Sequence, residues 1–133
     1  MNIEVIKTKK APQPAAAYSQ AFKAGNFVFV SGQLAEDPET GDLVKAKFPE
    51  SPIRVQTKRV LENIQAILKE AGTDMDHIVS CTVFLRDLKD FPVYNETFET
   101  FFKIPPPRAT VNIVGLLPSE EALIEIQSIA VIP

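Results

Sequence analysis

Two side chains in the last third of this 133-residue chain are of types that could act on a small charged molecule: Arg108 and Glu125. Arg108 follows Pro105, Pro106 and Pro107, which lack a backbone N–H, fix φ, and deliver a stiff extended lead-in. A guanidinium held there suits two-point capture of a carboxylate or phosphate, because its planar fork matches two oxygens at once. The same residue would serve equally as a surface arginine at a strand end. Glu125 interrupts the run 123–132, which is otherwise apolar on both parities apart from Gln127 and Ser128. Such a carboxylate either faces solvent at a sheet edge or is a partly buried acid with a raised pKa, suited to positioning water. His77 and Cys81 are each the sole residue of their type. They offer no zinc set and no Ser-His or Cys-His dyad. His77 is expected to be structural or exposed, and Cys81 a small buried hydrophobe.

The elements that must position these residues read as follows. Residues 2–6 form a short strand, and 21–23 and 27–31 flank Ala24-Gly25-Asn26 as a hairpin. Gly32, at the end of that hairpin, is either a bulge or a point of close approach. Residues 37–42 have the composition of a turn joining two hairpin strands, and 45–52 an irregular connection. Apolar positions recur at helical spacing over 53–71, with Gly72 as the stop. A single turn at 74–77 precedes a strand at 78–85. Asp90 reads as the N-cap of a second helix whose stripe Phe91, Tyr94, Phe98, Phe101 and Phe102 reads as core, with Asn95 beside it. The β-branched stretch 109–114 and the run 123–132 read as a hairpin with Arg108 at its mouth. The order β-β-β-α-β-α-β-β implies a single α+β domain over 1–133, with about six strands in a mixed sheet and both helices on one face. Three of the strands are apolar on both parities, so the second face needs a cover, and no third helix exists to supply it. A partner subunit is expected there.

A net charge of −3 and a pI near 5.2 leave no electrostatic footprint for nucleic acid. Lys7, Lys9 and Lys10 read as a solvated stretch. No apolar run approaches the roughly 20 residues of a membrane span. The first residues lack the apolar core of a secretory signal, and a single cysteine fits a reducing compartment, so a cytoplasmic location is expected.

The segments YSQAFKAGNFVFVSGQLAEDPETGDLV (18–44), RVLENIQAILKEAG (59–72), VSCTVFLRDLKDFPVYNETFETFF (79–102) and PPPRATV (105–111), followed by IEIQSIAV, together resemble the RidA/YjgF reactive intermediate deaminase family, in its order and near its spacing. The resemblance implies a chorismate-mutase-like fold and a homotrimer with three clefts between subunits. It also implies hydrolysis of enamines and imines of the 2-aminoacrylate and 2-iminopropanoate type to 2-oxo acids and ammonia, without metal or cofactor. By the same resemblance, Arg108 grips the substrate carboxylate and Glu125 orients the attacking water, while Tyr18, Ser31, Gly32, Asn95 and Thr110 line the cavity. The chain departs from the family's pattern at Ala15-Ala16-Ala17, where many members have Ile-Gly-Pro, and at Thr110, where several have cysteine. Extra residues before Glu125 leave Glu120 and Glu121 as lesser candidates for the acid. Two rival classes stand beside the deaminase. One is a module that binds 2-oxo acids without turnover; the other is a ribonuclease, an activity described for some members and disfavoured by the acidic charge.

Overall fold

The computed structural model describes residues 2–116 and 119–133. Its strands are β1 Ile3–Ile6, β2 Ala21–Ala24, β3 Phe27–Gln33, β4 Ile78–Leu85, β5 Arg108–Asn112 and β6 Ile124–Val131; its helices are α1 Pro52–Ala71 and α2 Phe91–Glu99. Gly25 takes a φ of 60° in the β2–β3 turn, a conformation L side chains rarely adopt. The Ser51 hydroxyl accepts from Arg54 N and Pro52 occupies the first turn of α1, so the helix starts where its own backbone donors are satisfied. Gly72, left-handed at φ 89°, ends it by donating to the Leu68 and Lys69 carbonyls.

The strands lie in the order β1-β2-β3-β6-β4-β5. This corrects the hairpin expected at the end of the chain. β5 runs parallel to β4 and makes no pairing with β6, which is inserted between β3 and β4. A parallel pair needs a crossover, and α2 supplies it. The link from β5 to β6 then has to carry the chain past β4. It is pinned by Arg86, whose Nε donates to Ala122 O at 2.8 Å, and by a small apolar cluster of Leu34, Leu116 and Ala122. The turn expected at 37–42 forms, with Gly41 N donating to Asp37 O and Gly41 at φ 77°. Its flanks meet only in the bridge between Glu36 and Leu43, so no second hairpin follows. Asp90 precedes α2 but its side chain caps nothing; the carboxylate used locally is Asp87, which accepts from Lys89 N in the preceding 3-10 turn.

Both helices cover one face. Val60, Leu61, Ile64, Ile67 and Leu68 of α1 pack with Val28, Val30, Val83, Leu85, Ile124 and Ile126 from the sheet, and Tyr94 and Phe98 of α2 complete that core. Burial alternates along β3, β4 and β6, as a sheet with one covered face requires. The other face carries Ile3, Val5, Phe22, Phe27 and Phe29, all exposed. These five lie side by side through the pairings of Ile3 with Ala24, Val5 with Phe22, Phe22 with Phe29 and Phe27 with Ala24.

Candidate functional site

Arg108 opens β5 and points to the helix side, where α2 receives it. Its guanidinium carbon lies 4.6 Å from the Phe98 ring centre, 5.1 Å from that of Tyr94 and 5.9 Å from that of Phe91. Its Nη2 donates to Asn95 Oδ1 at 2.7 Å. The aromatic stripe of α2 is therefore more than core filling: three of its rings cradle a cation, an arrangement favoured by the negative faces of the rings. The chain has four arginines. Arg54 pairs with Glu96, Arg59 with Glu62, and Arg86 donates to loop carbonyls. Among the described residues, Arg108 alone has neither a carboxylate nor a backbone carbonyl acceptor; Asn95 Oδ1 takes one N–H, and the rest of its fork is left for an outside anion. Thr110, two residues on, turns its hydroxyl to Tyr94 Oη at 3.0 Å. Burial, the largest influence, pushes the Tyr94 phenol up from its ordinary pKa. The neighbouring Cys81 thiol is buried and pushed up to about 12, chiefly by desolvation, so it stays a protonated hydrophobe.

Glu125 belongs to a second group on the opposite face. Central strand β6 carries it half-buried, and desolvation raises its carboxyl above the ordinary range. The expectation of an edge strand does not hold; the partly buried acid does. Glu125, Gln127, Tyr18, Ser31 and Gly32 line a cavity of about 870 Å³ with Ala15, Ala16, Ala17, Phe22 and Phe29. Gly32 is both things its sequence allowed. The β3–β6 register slips between Val30 and Gln33, and a Cβ on Gly32 would sit 2.9 Å from Glu125 Cδ and 3.1 Å from each carboxylate oxygen. Its φ is not positive, so space, not backbone conformation, demands glycine here. Gly32→Ala is expected to leave the fold intact and displace the Glu125 carboxyl, which a thermal melt beside a crystal structure of the variant would check.

The rim is fixed in part by a residue the sequence did not flag, Gln20. Buried Gln20 donates to the carbonyls of Thr8, Ala11 and Pro12 and accepts from Thr8 N at 2.7 Å, fixing the segment that leads into 15–18. Ser31 Oγ donates to Ser19 O at 2.6 Å. The Tyr18 hydroxyl accepts from Ala15 N at 3.4 Å, so the alanine triplet and the tyrosine form one wall. Beneath Glu125 a niche of about 20 Å³ reaches Gln33 and Glu36, and burial raises the Glu36 carboxyl too. Nothing in the sequence marked Glu36, because its neighbourhood depends on the register slip before it. Glu120 and Glu121 are exposed in the loop before β6 and line neither group. His77 Nδ1 lies 2.7 Å from Asp74 Oδ1, away from both groups, as a structural pair at the turn before β4.

The two groups do not meet within one chain. Arg108 is level with Cys81 and, across β4, with Ser128, whereas Glu125 is level with Phe84 and Val111. Two strand spacings across and three residues along place the backbones of Arg108 and Glu125 roughly 14 Å apart. Their side chains also leave the sheet on opposite faces. Thus an anion anchor and a raised-pKa acid beside an apolar cavity are both built, back to back.

Residues 8–132 match the family described as Endoribonuclease L-PSP. The chain is 49% identical over 127 residues to a RutC family protein of Pyrococcus abyssi, covering 96% of this chain and 95% of that one. It is 36% identical over 129 residues to a 2-iminobutanoate/2-iminopropanoate deaminase of Dermatophagoides farinae, covering 96% and 95%. Among solved structures it is similar to E. coli TdcF with bound serine, with a TM-score of 0.88 at 34% identity, covering 98% of this chain and 99% of that one.

Proposed function

We propose, from the premise that this chain belongs to the Endoribonuclease L-PSP family of RutC- and RidA-type proteins, that it hydrolyses reactive 2-imino acids and their enamine tautomers to 2-oxo acids and ammonia. The observation that carries the reading is the pairing of an arginine with no acceptor anion and a desolvated carboxylate lining a cavity. Arg108 takes the substrate carboxylate through its free edge, with Asn95 and the ring faces holding the guanidinium plane. Water adds to the imine carbon as the C=N π bond opens onto nitrogen. Glu125 accepts the proton that the water loses and returns it to nitrogen, giving the carbinolamine; it then takes the hydroxyl proton and passes it to nitrogen as the C–N bond breaks, so that ammonia leaves and the C=O bond forms. An imine is already electrophilic, so orientation and a placed base suffice. The serine held by the TdcF structure is an amino acid with the same α-carboxylate, which supports a carboxylate anchor in this family.

One small substrate cannot reach both groups of a single chain, so the active form is an assembly in which Arg108 of one copy faces the Glu125 cavity of the next. The apolar face formed by Val5, Phe22, Phe27 and Phe29 supports burial against another copy. A homotrimer with three such clefts is the assembly proposed. Mass measurement in solution tests the assembly. Turnover of freshly generated 2-iminopropanoate, followed by release of pyruvate, tests the chemistry; absence of turnover with retained 2-oxo acid binding would favour a sensor instead.

Glu125→Gln is expected to lower kcat by roughly 100-fold or more while leaving affinity for a 2-oxo acid nearly unchanged, because it removes basicity and not shape. The sign of the pH dependence follows from the raised pKa. The carboxylate must be ionised to accept a proton, so kcat should fall as pH drops through a value above the usual carboxylate range. Ionising a desolvated acid costs folding energy above that pKa, so the glutamine variant should be no less stable at neutral pH. A variant that kept full kcat would move the role elsewhere.

A further inference from the structure

We propose that Tyr94, locked by Thr110, is the positioning residue that holds the Arg108 fork in place for the substrate carboxylate; this rests on the reading of Arg108 as the substrate anchor. Tyr94 is 0% exposed, yet its hydroxyl must find a partner to be buried at low cost. That partner is Thr110 Oγ1 at 3.0 Å, on the same face of β5 as Arg108 and one step along it. This hydrogen bond ties α2 to the strand that carries the anchor, beside the bond from Arg108 to Asn95.

The consequences converge on the guanidinium. The Tyr94 ring lies 5.1 Å from its central carbon and is itself held edge-on between Phe91 at 5.4 Å and Phe98 at 6.0 Å. Asn95, the next residue on α2, accepts from Nη2 at 2.7 Å. Fixing Tyr94 thus fixes both the ring against the guanidinium and the amide that orients its edge. With one N–H bonded to Asn95 and the carbon held among the rings, the rest of the fork is left for an incoming anion, where two N–H groups can meet two carboxylate oxygens. The Thr110 hydroxyl, which the sequence reading put in the substrate cavity, acts instead through Tyr94.

Tyr94→Phe keeps the ring and removes the clasp; Thr110→Val removes it from the other side at nearly constant volume. Each is expected to raise KM for 2-iminopropanoate and Kd for 2-oxobutanoate together, by roughly three- to tenfold, the effect of one hydrogen bond, with kcat within about twofold. The double variant should be no worse than either single, because both remove the same bond. Thr110→Ser retains the hydroxyl and should restore wild-type KM. A residue that merely stabilised the fold would lower the melting temperature without this selective rise and without rescue by serine. Unchanged KM and Kd in both singles, or single effects that multiply in the double, would overturn the proposal. Should the wild type bind 2-oxobutanoate but turn over no imine, the deaminase reading falls while the Kd series still decides the role of Tyr94. Should it do neither, both fall.

Discussion

Replacing Arg108 by alanine is expected to remove most imine turnover. The guanidinium is the only arginine head among the described residues left without an acidic or backbone carbonyl acceptor, and it sits half-buried against three aromatic rings. A charge pair formed with a substrate carboxylate in such a place is worth roughly 2 to 5 kcal/mol, so its loss lowers kcat/KM by roughly 30- to 5,000-fold. Lysine should restore little. Its point charge lacks the fork and would make a single contact to the carboxylate. The control is a substrate-free measurement: binding of 2-oxobutanoate by calorimetry should vanish in Arg108→Ala, while the melt shifts only by the loss of side-chain packing on Phe91, Tyr94 and Phe98. Unchanged kcat/KM would sink the carboxylate anchor and, with it, the deaminase reading.

The reach of the sequence can be judged at these same residues. The helix at Pro52–Ala71 and the strands at Ile78–Leu85 and Ile124–Val131 were legible because periodicity and capping are local properties. So was an apolar second face, since apolar residues on both parities of a strand cannot all face two helices, and Phe22, Phe27 and Phe29 stand exposed there. The order of the last two strands is not legible from their succession, because adjacency along the sequence is not adjacency in the sheet and β4 lies between them. The connection between Asn112 and Ile124 is too long for a tight hairpin, and that length was the available signal that β4 intervenes. The aromatic stripe of α2 was assigned to the core from its spacing alone. Spacing says that rings share a face; it cannot say that a cation from a parallel strand lies against them. Likewise Arg108, Asn95 and Thr110 form one group and Tyr18, Ser31, Gly32 and Glu125 another, and no local pattern reveals it. The division depends on the register of β5 on β4 and of β4 on β6, which the long-range pairing sets.

That division makes mixed assemblies the sharpest test of the proposed cleft. Chains carrying Arg108→Ala and chains carrying Glu125→Gln should each be nearly inactive. Refolded together in equal amounts, they are expected to recover activity. In a closed ring assembled at random, a cleft is intact when the chain giving Arg108 and the neighbour giving Glu125 are each of the right type, one half times one half, so about a quarter of sites return. The structure also supplies a pairing that should not recover. Asn95→Asp would set a carboxylate where Asn95 Oδ1 now accepts from Arg108 at 2.7 Å, occupying the fork against the substrate. Its lesion falls in the same group as Arg108→Ala, so a mixture of those two chains has no intact anchor in any subunit and should stay inactive. The two mixtures share their assembly chemistry and differ only in which face of the sheet is altered. Recovery near a quarter in the first and none in the second would support a cleft shared between faces of different subunits. Failure of both, with light scattering showing that mixed assemblies had formed, would mean that one chain holds a complete site by itself, which the opposed directions of Arg108 and Glu125 argue against.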